Sequence, residues 1–445
     1  MQDIEPAQGL KKILGRWDSI AITIGIVIGV GIFRVPAEVA KYLESPYLII
    51  LAWLSAGIIC LLGASCYAEL SSAFPETGGN YIYLRESYGR GVGFLFGWTE
   101  LLVIRTGGIA AVAFIFAEYL QSFLGLVNAP IRLIAISSVF IFSFINILGL
   151  RYGKTFQNLS TLTKVLALLG IILFGLLSAK GSTSNLSAVE VTPDKGILAL
   201  FGLALIPILW TYGGWHESTF VAGETKDYKR SLPFSLITGI LIITSLYTAI
   251  NFVYLYVVPA REMVHTELIA SDVMQILYGA GGKKILEILV IISSVGCING
   301  MIITGGRVTY AMAKDNLVFR YLGEINHRYS TPSRSILINA AWSAVLILWG
   351  TFSKLLFFTG ILVWLFFALA VAGLILLRYK LPHIERPFKV WGYPFVPAIF
   401  ILTCTSLVIN TLIFYPLESL FGLCLAISGI PVFILSQRRE KQLKP

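Results

Sequence analysis

The chain has 445 residues, of which 56% are hydrophobic and only 13% charged, and its mean hydropathy is +0.80. Soluble domains carry about 25% charged residues, so a water-soluble enzyme is excluded. The net charge of +10 is spread over loops between apolar runs, not gathered on one face or tail, which argues against a nucleic-acid partner.

Taken in chain order, helices are predicted over 18–40, 47–73, 81–121, 131–149, 155–178, 196–222, 232–258, 283–314, 334–350, 354–378, 395–415 and 417–436. Each is close to or above the ~20 residues needed to cross a ~30 Å hydrocarbon layer, so the expected fold class is an all-α polytopic membrane protein with twelve transmembrane helices. Pro75 to Asn80 reads as a turn, 315–332 as a polar linker, and 179–195 and 259–282 as the long loops on the other side, the latter with a short amphipathic piece near Leu268 to Leu277. Lys and Arg concentrate on the loops that share a side with the N-terminus, among them Lys11, Lys12, Arg16, Arg85, Arg90, Lys229, Arg230 and Arg386, and thin out on the opposite side. By the positive-inside rule both termini are expected in the cytoplasm, with an even number of crossings. Residues 1–17 then form a cytoplasmic segment without a cleavable signal, so the first helix is expected to be retained, and 437–445 form a cytoplasmic tail.

Two apolar segments are interrupted in the same manner. In the first, Gly25, Gly29 and Gly31 fall within seven residues near mid-membrane; in the sixth, Trp210-Thr211-Tyr212-Gly213-Gly214-Trp215 repeats the pattern five helices later. Gly-x-Gly alone also serves close helix packing. Interruptions at corresponding places in two halves point instead to an inverted-repeat transporter. The physical reason is local: unwinding a helix inside the bilayer frees N–H and C=O groups, which is tolerated where they line a cavity. A half-helix N-terminus then offers oriented N–H donors to an anion, and freed carbonyls suit a cation. An amino acid zwitterion carries both charges.

At these residues the chain resembles the amino acid-polyamine-organocation superfamily, and most nearly its L-type amino acid transporter branch. The resemblance rests on Ile28-Gly29-Val30-Gly31-Ile32-Phe33 with Pro36, on Glu100-Leu101-Leu102-Val103-Ile104-Arg105, on Tyr212-Gly213-Gly214-Trp215, and on Asn299-Gly300. It implies a LeuT-type fold: helices 1–5 (18–178) and 6–10 (196–378) as inverted repeats joined by the external loop 179–195, plus peripheral helices 11 and 12 (379–436). It also implies that the substrate carboxylate meets backbone N–H groups at Gly29, Val30 and Gly31, and the ammonium carbonyls at Val27, Trp210 and Gly213. Trp210 would be an aromatic gate, and Thr106, Gly107, Gly108, Tyr212 and Gly214 the pocket wall. Three positions depart from the branch's pattern: Val30 where a small hydroxyl residue is common, Arg34 where relatives are apolar, and His216 in place of a neutral polar residue.

Several polar residues fall inside the spans. Lys164 lies in the fifth, where an unpaired cation costs several kcal/mol. The resemblance implies that its ammonium replaces a coupling sodium ion, bridging Gly25 and Ile26 of helix 1 to Ser293 and Ser294 of helix 8. A lysine snorkelling to the interface and a proton-exchanging lysine are the other readings. Glu100 and Arg105 stand five apart, too far round an α-helix for an ideal pair, so each is expected to find a partner elsewhere, in a network with His216 and Asn299 that braces helix 3 or, alternatively, in direct contact with substrate. Arg34 and Glu38, four apart, are expected to pair across an external vestibule or to form a solvated rim pair. His216 is either a proton shuttle or a hydrogen-bonded core residue.

Nothing in the sequence supports an enzyme, a metal site or a cofactor: the histidines (His216, His265, His327, His383) are scattered, and no phosphate-binding loop follows a strand. The five cysteines lie inside apolar runs, and Gln121 to Ile131, between the third and fourth helices, has none, so no disulfide-linked heavy subunit is expected. The expected function is sodium-independent transport of neutral L-amino acids by obligatory exchange through alternating access, in a cell (inner) membrane with lipid as the only other partner. A proton-coupled amino acid or polyamine symporter, and a transporter-like sensor with little turnover, are the competing readings.

Overall fold

The computed structural model describes residues 14–76, 78–126, 128–147, 153–187, 196–314 and 333–443. The predicted linker 315–332, and the parts of the N-terminal segment, the 179–195 loop and the C-terminal tail beyond these limits, lie outside the described residues. The described chain is helical: α1 (Arg16–Val27), α2 (Val35–Ala40), α3 (Pro46–Ala73), α4 (Asn80–Tyr88), α5 (Arg90–Thr99), α6 (Arg105–Leu124), α7 (Ile131–Ile147), α8 (Gly153–Leu177), α9 (Ile197–Thr211), α10 (Tyr228–Val257), α11 (Ala260–Met263), α12 (Ile269–Lys314), α13 (Ser333–Trp349), α14 (Phe352–Lys380), α15 (Phe395–Phe414), α16 (Pro416–Ile427) and α17 (Gly429–Leu443). The one β-type pairing among the described residues is an isolated parallel bridge, Leu14 with Thr225, where Lys226 N–H also donates to Leu14 O at 2.8 Å.

Among the described residues, eight helices or helix pairs are long and apolar enough to cross a membrane, and four shorter apolar helices accompany them. This is a multi-pass membrane protein. Burial sorts the spans into layers. The most apolar window of Arg90–Leu124 is 83% buried, whereas those of Phe395–Phe414 and Pro416–Gln437 are 28% and 22% buried, so α5–α6 form the centre and α15–α17 the rim. Apolar side chains such as Leu177, Leu198 and Leu417 are exposed on the outer surface, where only hydrocarbon makes exposure inexpensive. Around the centre, α3 runs along α10, α6 along α12, and α1 packs on both α10 and α8.

The first and sixth predicted spans are each broken. α1 ends at Val27, a non-helical stretch follows, and a 3₁₀ turn, Gly31–Phe33, leads into α2; α9 ends at Thr211, and a tight turn leads into a 3₁₀ segment, Glu217–Glu224. The third predicted span is also subdivided: Gly89 separates α4 from α5, and one π-helical turn, Glu100–Ile104, joins α5 to α6. The amphipathic piece foreseen near 268–277 forms the first part of α12, which breaks at Gly279 (φ 67°) before entering the apolar span.

Candidate functional site

The two breaks pack directly on one another. A Cβ at Gly31 would stand 2.9 Å from Thr211 Oγ1 at the end of α9, and one at Gly214 would stand 2.5 Å from Ile26 Cγ2 in α1. Gly214 also has φ +96°, a conformation L side chains rarely adopt. Glycine therefore permits the close approach at both contacts, and at Gly214 it also suits the backbone shape. Between the breaks lies a cavity of about 120 Å³. Ile26, Val27, Gly29, Val30 and Gly31 line it from the first break, and Trp210, Thr211, Gly213, Gly214, His216 and Glu217 from the second. The helices behind contribute Asn80 (α4), Phe96 (α5), Glu100, Arg105 and Gly108, Cys297 and Met301 (α12), and Thr359 and Val363 (α14).

Backbone chemistry at the first break is asymmetric. Among the described residues, the N–H groups of Val30 and Gly31 have no backbone acceptor, while Phe33 and Arg34 N–H close the 3₁₀ turn onto Val30 O and Gly31 O at 3.1 and 3.0 Å. Free donors thus line the cavity where an anion was expected. Val27 O is different: it accepts from Tyr247 Oη at 2.7 Å and from Gly29 N–H at 2.6 Å, which occupies both lone pairs. The expectation that it receives the ammonium, and that Gly29 N–H is free for the carboxylate, is therefore corrected. Trp210 O accepts from Gly213 N–H at 2.8 Å and, at the end of α9, also from Tyr212 N–H, which it shares with Ile208 O. The Trp210 ring packs edge-on against Phe352 at 5.7 Å between centroids, and Arg34 lies over the other partner of that pair, 5.1 Å from the Phe352 ring centre.

The expected pocket wall is only partly brought together. Gly108 and Gly214 line the cavity; Thr106 donates to Leu101 O at 2.9 Å, Gly107 packs on Thr359, and Tyr212 turns away to donate to Trp53 O at 3.2 Å. Asn299 also lies off the cavity, accepting from Asn146 Nδ2 at 2.6 Å. His216 faces the cavity with its ring 4.7 Å from that of Phe367, and its Nδ1 has no hydrogen-bond partner.

The ionic pairings differ from those read off α-helical spacing. Glu100 and Arg105 do pair, Nε donating to Glu100 Oε1 at 2.9 Å and Nη2 standing 2.6 Å from the same oxygen. The cause is the π-helical turn, whose i→i+5 repeat brings residues five apart onto one face. Arg105 Nη1 reaches Glu217 Oε1 at 3.0 Å, which makes a buried three-ion cluster that helical spacing did not reveal. The outer pair is likewise corrected: Arg34 Nε donates to Glu118 Oε2 at 3.1 Å, and Glu38 binds Lys41 at 2.8 Å and Ser353 at 3.3 Å instead. Lys164 Nζ, on α8, donates to Gly25 O at 3.2 Å and approaches Cys297 Sγ at 3.6 Å. Its partner on α12 is thus Cys297. Ser294 donates to Val290 O at 2.7 Å and Ser293 Oγ has no partner, so neither hydroxyl binds the ammonium.

Cys297, Glu118 and Glu217 carried signals that were available in sequence. The two carboxylates are charges inside apolar runs; Cys297 had only its position two residues before Asn299.

A small cavity bounded by two mutually packed helix breaks, with free N–H donors on one side and carbonyls on the other, in a chain of many membrane-crossing helices, defines a solute transporter. Comparison with known proteins fixes the kind. The amino acid permease family model matches residues 14–423. The serine/threonine exchanger SteT of Bacillus subtilis is 31% identical over 436 residues, covering 97% of this chain and 98% of that protein. The b(0,+)-type amino acid transporter 1 of Homo sapiens is 31% identical over 444 residues, covering 98% and 90%, and the human cystine/glutamate transporter is 30% identical over 432 residues, covering 96% and 85%. The chain belongs to the amino acid permease family, and it is an amino acid transporter, not an enzyme.

Proposed function

We propose that the protein is a sodium-independent carrier of neutral L-amino acids that works by obligatory exchange through alternating access. The arrangement is LeuT-type, with twelve spans in a five-plus-five inverted repeat and two peripheral helices. The observation that carries the reading is the contact of the two breaks across one cavity, Gly31 on Thr211 and Gly214 on Ile26. In it the substrate carboxylate meets the free N–H groups of Val30 and Gly31, and the ammonium meets carbonyls at Trp210 and Gly213.

The balance of buried charge favours a neutral substrate. Lys164 and Arg105 on one side, Glu100 and Glu217 on the other, cancel at formal charge, so a zwitterion enters without leaving a net charge in the low-dielectric interior. The ammonium of Lys164, hydrogen-bonded to Gly25 O, supports independence from sodium because a fixed cation already neutralises the carbonyl that an ion would coordinate. Trp210, edge-on to Phe352 beneath Arg34, is the outer gate, and Arg34 with Glu118 closes the vestibule above it. Both termini are cytoplasmic in a cell (inner) membrane, and the carrier works without a disulfide-linked subunit, since four of its cysteines are buried and the fifth, Cys424, lies within the apolar run of α16.

The test is uptake of a radiolabelled neutral amino acid into liposomes holding the purified protein, without sodium or a pH gradient. Uptake only into vesicles preloaded with unlabelled amino acid is expected. Uptake into empty vesicles that rises with an inward proton gradient would replace exchange by proton symport, and binding without flux would favour a sensor.

A further inference from the structure

Recognition of the amino acid backbone by the two breaks leaves two buried acceptors in the same cavity unused. Glu217 is 6% exposed; its Oε1 accepts from Arg105, but its Oε2 has no hydrogen-bond partner. Asn80, 1% exposed, lines the cavity too, and its Oδ1 is likewise unpartnered. A buried acceptor without a donor is destabilising, and more so when it is charged. Arg105 does not relieve Glu217 Oε2, because its Nε and Nη2 are turned to Glu100 and its Nη1 to Glu217 Oε1. Phe96, Met301 and Val363 of the wall carry no donor, and none of its polar side chains, His216 included, donates to either oxygen.

We propose that Glu217 Oε2, with Asn80 Oδ1, forms a side-chain subsite that selects substrates whose side chain carries a hydrogen-bond donor, a hydroxyl, amide or ammonium group. The inference rests on the reading of this cavity as the amino acid site. An ionised carboxylate and an amide oxygen only accept hydrogen bonds, so a donor-bearing side chain satisfies them while an aliphatic side chain of the same shape strands them. Discrimination of this kind is much stronger than that of an apolar pocket, in which a methylene changes affinity by roughly 10–200-fold at most, because the stranded groups stay buried and unpaired. The expected preference is for neutral donors, which preserve the cancellation among Lys164, Arg105, Glu100 and Glu217.

The experiment uses the purified full chain and follows its thermal unfolding against increasing L-threonine or L-valine, which share one shape, and L-lysine or L-norleucine, whose chain is the same but lacks the terminal ammonium. Threonine is expected to reach half-maximal stabilisation at a concentration at least about tenfold below that of valine. A preference confined to the lysine pair would assign the subsite to a cationic donor. In Glu217→Gln the amide keeps its oxygen on Arg105 and turns its NH₂ to the cavity, so an acceptor becomes a donor. The ratio of the valine to the threonine value should then fall below about threefold. If Glu217→Gln does not fold, Asn80→Leu decides, with a several-fold loss of the same preference. Equal values within both pairs in the wild type, or a preference that survives both variants, overturns the subsite. Stabilisation by no amino acid at all would overturn the amino acid site itself, and the subsite with it.

Discussion

Two buried cations flank the cavity and are held in opposite ways. Arg105 is fixed between two carboxylates, Glu100 and Glu217, by three contacts of 2.6–3.0 Å, whereas Lys164 holds one carbonyl, Gly25 O at 3.2 Å, and approaches one thiol. The first is a structural pin joining the π-turn before α6 to the broken second half of the sixth span. The second is a single ammonium joining α8 to the end of α1 and to α12, three elements that meet beside the first break. A charge compensated by geometry resists motion; a charge held by one neutral oxygen can exchange partners as the helices move. The proposed alternating-access cycle uses both, a frame that does not yield and a contact that does.

The contrast is broken most forcefully at Arg105. Arg105→Leu leaves Glu100 and Glu217 facing one another without a cation, and removing one partner of a buried ion cluster costs about 3–5 kcal/mol. A large drop in folded yield and unfolding midpoint is expected; a stable variant would mean that the cluster is not a pin. Lys164→Met should cost less, about 1–3 kcal/mol for the unpaired Gly25 carbonyl, and leave a folded protein whose amino acid transport is lost. Retained transport in that variant would contradict the role given to the ammonium.

A smaller and sharper effect concerns the backbone contact between the breaks. Gly31→Ala presses a methyl onto Thr211, and affinity for amino acid should fall about tenfold, about 1.4 kcal/mol, with partial recovery in the Gly31→Ala, Thr211→Ala double variant. No recovery would show that the loss arises elsewhere. Smallest of all is Arg261→Ala, which removes a 3.6 Å pair with Glu44 whose side chains are 63% and 50% exposed. It should move the unfolding midpoint by no more than corresponds to about 0.5 kcal/mol, which separates burial from mere charge as the source of the larger effects.

The fold and the breaks were legible because membrane spans announce themselves by length and apolarity, and because glycines clustered at matching places in two apolar runs mark where a helix gives way. Gly31 and Gly214 were both readable for this reason. The ion pairs were not, and the reason is specific. Pairing rules assume an α-helical repeat, and the π-turn Glu100–Ile104 shifts that repeat locally, so Glu100 and Arg105 met where α-geometry kept them apart. Arg34 and Glu38 failed in the other direction. Their spacing suited a pair, but a 3₁₀ turn ends at Phe33 and α2 begins at Val35, so Arg34 stands at a junction and turns to Glu118 on α6. Lys164 reaches Gly25 O, and which residue of α12 it meets depends on helix rotation, which sequence spacing alone does not set. The tertiary pairing of Glu217 with Arg105, 112 positions apart, carried no local signal at all.

The most direct test of the cavity between the breaks uses Cys297, which lines it, touches Lys164 and would stand 3.2 Å from a Cβ at Gly29. With the other four cysteines replaced by serine or alanine, the rate of Cys297 alkylation by a small thiol reagent is measured with and without saturating substrate amino acid. Strong slowing by substrate, shifted to about tenfold higher concentration in Gly31→Ala, is the expected result. An alkylation rate that substrate leaves unchanged, in protein that still transports amino acid, would contradict the placement of the site between the two breaks.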